Sequence, residues 1–184
     1  MHHNPGQLRV ADGSRAFLKA HNAMRFLGAL TMALATMIAP AMAALSANGS
    51  AYLQHEIQRQ MGHYAIMALG AQKGSPQLRA IAKQEAAAAA AALTKLKSLA
   101  HADGATIPTK SDLRQRNHYA TLYDLSGSAF DSAFINDVLI DDRIALDAQK
   151  QQVATGQDSA LKAYASAREG SLQNEILKLE KLKK

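Results

Sequence analysis

The chain has 184 residues, 48% hydrophobic and 5% aromatic, with no cysteine and no tryptophan. Without cysteine there are neither disulfides nor a thiol for a lipid anchor, so a buried core must hold the fold together. Its 21 basic and 15 acidic residues give a net charge of +6, but four bases and one acid precede Ala44, leaving 17 against 14, a net +3. A nucleic-acid partner needs a dense basic face interleaved with aromatics. The one basic cluster here is the C-terminal "KLEKLKK", where cations suit the negative end of a helix dipole. No nucleic-acid partner is expected.

The first element is a targeting segment. From Met24, Arg25 leads into an apolar run over residues 26–38, followed by Pro40 and the small-x-small pattern Ala41-Met42-Ala43. That layout predicts a signal peptide cleaved after Ala43, with Met24 as the true start and residues 1–43 outside the folded domain. The run is too short and too rich in small residues for a comfortable membrane span, which takes about 20 apolar residues. The expected destination is the periplasm of a Gram-negative-type bacterium, with outer-membrane association open and no transmembrane span in the mature form. An uncleaved, membrane-tethering segment is the alternative.

Residues 44–184 then form one domain. Leu53, Ile57, Met61, Tyr64 and Met67 recur at steps of three and four, predicting a helix from Ala51 to Ala71. "GSP" at 74–76 ends it and starts a second helix, Pro76 to Ala102, with Pro76 suited to the first turn. That helix contains the unbroken alanine run Ala86 to Ala92. Alanine favours helix, and its small side chain lets a neighbour approach closely. "ADGATIPTKSD" at 102–112 reads as a loop. A third helix runs from Ser128 to Thr155, stopped by Gly156, and a fourth from Asp158 or Ser159 to the end. Tight first–second and third–fourth links with one long crossover predict an all-α, ferritin-like up-down four-helix bundle.

The phrase "LSGSAFDSAF", with Leu125, Ser126, Gly127, Phe130, Asp131 and Phe134, resembles the L-S-G-x-x-F-D-x-x-Y signature of a bacterial exported family. That family is known as the domain of unknown function numbered 4142. The resemblance extends over most of residues 51–182, including "LRAIAKQE", Ile107-Pro108 and "LKAYASA", and it implies a ferritin-like fold. It also exposes three departures. Where the family shows histidines in helices two, three and four, this chain has Glu85, Asp142 (after Asp141) and Glu175. A role for those histidines, metal binding included, does not carry over unchanged.

Acids recur on the inward faces. On ideal helices, Glu85 falls about 20° from Leu78, while Asp137 and Asp141 fall about 20° to either side of Phe130. Glu175 and Arg168 fall within about 40° of Leu161, and Asp142 lies about 120° from Phe130 on a second apolar strip. Two expectations follow. In one, Arg168 pairs with the acids, including Asp137, in a polar layer, because an unpaired buried charge costs several kcal/mol. In the other, Glu85, Asp141, Glu175 and His63 (or Glu56) hold a divalent cation, as carboxylates and imidazoles do in ferritin-like cores. Against that, no Glu-x-x-His occurs in the chain.

There is no Gly-x-Ser-x-Gly and no glycine-rich phosphate loop. His118 in the crossover is expected to pack or to be exposed. The leading expectation is therefore an exported, non-enzymatic binding or stress-related bundle without a cofactor, acting through self-association or an envelope partner. The alternative is a metal-binding or oxidative-stress protein using the inner carboxylates.

Overall fold

In a computed structural model of the chain, the residues described are 44–183. The expected signal segment at 1–43 lies outside them. The described residues form five helices: α1 (Ala47–Lys73), α2 (Pro76–Asp103), α3 (Leu113–Tyr123), α4 (Gly127–Thr155) and α5 (Ser159–Leu182). There is no strand among them, and none of these helices is long and apolar enough to cross a membrane.

α1 and α2 pack along their lengths across the tight Gly74-Ser75 link, as do α4 and α5 across 156–158, making two antiparallel hairpins. Ser46 caps α1 by accepting the Gly49 N–H at 3.0 Å, and Pro76 opens α2. The left-handed Gly104 (φ 68°) closes α2, a conformation glycine adopts without steric cost.

The family phrase has a structural reading. Gly127 starts α4 with φ 61°, so that Phe130 and Phe134 reach the core with no exposure at all. Asp131 turns back and accepts the Ser75 N–H at 3.1 and 3.3 Å on its two oxygens. One motif thus launches α4 and fastens it to the turn of the other hairpin. Gly70 completes the junction, since a Cβ there would lie 2.5 Å from a ring carbon of Phe134.

The crossover differs from expectation. Residues read as connection contain α3, which packs on α1 and α4. Its apolar residues mark no inward face: only Gln115 and Leu122 are buried, while Leu113 and Tyr123 are exposed. The signal lies in its start, where Asp112 accepts the Gln115 N–H at 2.9 Å, the D-x-x-Q spacing of a capping box.

The core is split in two. At one end Ile66, Met67, Leu78, Phe130, Phe134, Val138 and Leu179 pack together, and at the other Leu53, Ile57, Leu96, Ala100 and Leu161. Between these levels α1, α4 and α5 bury Glu56, Arg59, Gln60, His63, Asp142, Gln149, Arg168 and Glu175. At that height α2 offers mainly alanine, with Ala89 buried. Its run supplies closeness and no polar group to the layer.

Asp131→Ala should cost about 1.5–3 kcal/mol, the worth of a hydrogen bond to a charged acceptor, in chemical denaturation. An unchanged midpoint would mean the tie between the hairpins carries no stability.

Candidate functional site

α1 contributes its middle turns to the buried layer. Glu56 and Arg59, one turn apart, form a two-pronged ion pair at 2.8 and 2.9 Å. The Glu56 carboxylate also accepts from Gln60 (3.0 Å), Tyr164 (2.9 Å) and Gln149 (3.2 Å). Burial pushes this carboxyl upward, but Arg59 and the hydrogen bonds win and hold it at about 2. Tyr52 and Tyr164 are pushed above their ordinary range, first by burial and then by Glu56. Glu56 is thus a satisfied hub: every neighbour favours its charge.

One turn further along α1 the balance fails. His63 Nε2 pairs with Glu175 Oε1 at 3.2 Å, a close charge contact in which neither atom meets good hydrogen-bond geometry. Arg168 reaches the other Glu175 oxygen at only 3.5 Å. Asp142 is fully buried, and neither of its oxygens has a hydrogen-bond partner. One ligand atom each from His63, Asp142 and Glu175 lies within 4.8 Å of the others.

The electrostatics follow from the count. Glu56, Asp142 and Glu175 are three buried acids facing two buried arginines, Arg59 and Arg168. Glu56 occupies Arg59, so Asp142 and Glu175 compete for Arg168. Burial raises Glu175, but His63, Arg168 and Arg59 outweigh it and hold its carboxyl below the usual range. Asp142 loses the competition. Burial, and then the Glu175 carboxylate, push it well above the usual range against the pull of both arginines. The layer carries one acid more than its two arginines neutralise, and His63, beside Glu175, is its third base.

The expected ligands are distributed differently. The structure brings His63 and Glu175 together and adds Asp142 in place of Asp141 and Glu85. Asp141 faces α3, with Arg114 Nη1 at 2.9 Å and His118 Nδ1 at 3.6 Å. Burial raises its carboxyl even so. Glu85 pairs with Lys178 at 3.0 Å. Asp137 is half-buried and outside the layer, whereas Arg168 lies within it.

Relative to Phe130, Asp142 lies on a second apolar strip, because Phe130 is not the centre of the buried face of α4. The buried residues of α4 centre near Val138, about 80° round the helix from Phe130. Against that centre Asp142 is the inward acid and Asp137 the peripheral one. His118 is half-buried and turned to Asp141.

Fold and site together define a protein, all-helical over its described residues, whose buried layer gathers two carboxylates and an imidazole, with both Asp142 oxygens left without a hydrogen bond. A family model described as a domain of unknown function (DUF4142) matches residues 34–182, and the chain belongs to that family. No curated protein and no solved structure matches it significantly.

Glu56→Gln tests the hub. It leaves Arg59 buried without its partner and should cost about 3–5 kcal/mol at neutral pH. A depressed carboxyl adds stability above its unfolded value and loses it as pH falls through the folded one. The gap between wild type and variant should therefore close between pH 4.5 and about 2. A gap that is constant across that window would deny the ion pair its role.

Proposed function

We propose that this protein is an exported, ferritin-like four-helix bundle that binds one divalent first-row cation through His63, Asp142 and Glu175. The carrying observation is that three buried ligand atoms, one from each residue, lie within 4.8 Å of one another, and that in these residues His63 Nε2, Glu175 Oε1 and both Asp142 oxygens lack a hydrogen bond of good geometry. Buried polar atoms are rarely left without partners, because each one costs about 1–3 kcal/mol. A cation between them satisfies all three side chains at once.

The donors suit Fe²⁺, Mn²⁺ or Zn²⁺, for which one imidazole and two carboxylates are ordinary ligands. Ligands each about 2.1 Å from an ion stand at most about 4.2 Å apart, so the cluster has to draw in by roughly half an ångström. Calcium suits the site less well, since it takes six to eight oxygens. The two hairpins joined by one long connection are consistent with the ferritin-like arrangement, and the apolar segment before Ala44 supports export. The cluster favours cation binding over a role confined to the surface. Whether a reaction follows depends on which ion is held.

Equilibrium dialysis of the purified protein against Mn²⁺ and Zn²⁺ should find one ion per chain. A hundredfold excess over Kd should add about 2.7 kcal/mol of stability. Asp142→Asn should abolish both effects, while in metal-free buffer it should be neutral or stabilising because it removes a buried carboxyl that burial and the Glu175 carboxylate disfavour as a charge. A folded protein with neither bound metal nor a melting shift would end this reading.

A further inference from the structure

Helix α3 bridges two of the three ligand-bearing helices, α1 and α4, through the immediate neighbours of their ligands. On α1 its Gln115, 1% exposed, lies over Gly62, next to His63. A Cβ on Gly62 would come within 2.7 Å of the Gln115 Cβ, so the close approach depends on the glycine. On α4 its Arg114 and His118 lie against Asp141, next to Asp142. Both attachments are polar and incompletely satisfied: Gln115 Oε1, His118 Nδ1 and Asp141 Oδ1 have no hydrogen bond of good geometry. A groove of about 330 Å³, lined by Gly62, Ala65, Ser111, Gln115, Arg116 and Tyr119, runs beside them.

The two ends of α3 are held unequally. Leu122, fully buried in the core cluster of Phe130, pins the C-terminal end, and only residues 124–126 separate it from α4. The N-terminal end hangs on the longer link of residues 104–112.

Resting on the cation-binding reading, we propose that α3 is the access gate of the site. Its N-terminal half swings about Leu122 to admit and release the ion, and the contacts of Gln115 with Gly62 and of Arg114 with Asp141 are the latch. Opening leaves the three ligands in place, so the latch sets the rates of exchange far more than the affinity.

Stopped-flow absorbance of Co²⁺ binding to the full chain tests this. Arg114→Gln should speed association and dissociation alike, by roughly fivefold for the loss of a partly exposed ion pair, leaving Kd nearly unchanged. In the cysteine-free chain, Gly62→Cys with Gln115→Cys places two Cβ atoms near enough to bridge once α3 eases back by about an ångström. Oxidation of that pair should slow exchange, and reduction should restore it. Co²⁺ binding with wild-type rates in Arg114→Gln, and with rates indifferent to oxidation in the double variant, overturns the gate while sparing the site. If wild type binds no Co²⁺, Mn²⁺ or Zn²⁺, the cation reading fails and the gate falls with it.

Discussion

Two carboxylates, Asp142 and Glu175, compete inside the protein for the single guanidinium of Arg168, and Asp142 is left with no hydrogen bond on either oxygen. A buried charge without a partner costs several kcal/mol, comparable to a large part of the whole stability of a domain this size. The rest of the layer is arranged around that fact. Glu56 takes Arg59 for itself and recruits Gln60, Gln149 and Tyr164, so no spare donor reaches Asp142. His63 stands 3.2 Å from Glu175, a charge contact without good hydrogen-bond geometry. A proton on Asp142 or a cation among the three side chains resolves the imbalance, and only the cation also uses the imidazole and both acids.

The scaffold makes such a layer tolerable by sealing it at both ends. Phe130, Phe134 and Leu78 close one side, and Leu53, Leu96 and Leu161 the other. With apolar packing above and below, water is kept from the middle and electrostatic interactions there are strengthened. The "LSGxxFD" phrase contributes by position and not by chemistry. Gly127 sets the start of α4, and Asp131 ties it to the turn of the first hairpin, which fixes the register of Asp142 about three turns further along the helix. The motif that marks the family is therefore a device for docking one hairpin on the other.

The long helices were legible because their punctuation is explicit: Pro76, Gly104 and Gly156 stand where helices start or stop, and leucines recur at helical spacing between them. α3 was not, because its inward residues are Gln115 and Leu122, seven apart and unlike in polarity, so no apolar stripe announces it. The polar layer is legible as a set of inward acids and as a candidate cation site with Glu175 and His63, but with Asp141 and Glu85 where the structure has Asp142. Phe130 is a shoulder of the α4 stripe and not its centre, and measuring from it moved Asp142 outward and Asp141 inward. The pairing of His63 with Glu175 depends on which face of one hairpin meets the other. That is decided by the crossover and by close approaches such as Gly62 with Gln115, and helical periodicity carries no record of it.

The central claim is that one ion belongs between three particular side chains, and anomalous diffraction from crystals soaked in Mn²⁺ addresses it most directly. A single strong peak is expected about 2.0–2.3 Å from His63 Nε2 and from one oxygen each of Asp142 and Glu175. Peaks confined to surface carboxylates, with Asp142 hydrogen-bonded to Glu175 through a proton, would contradict it.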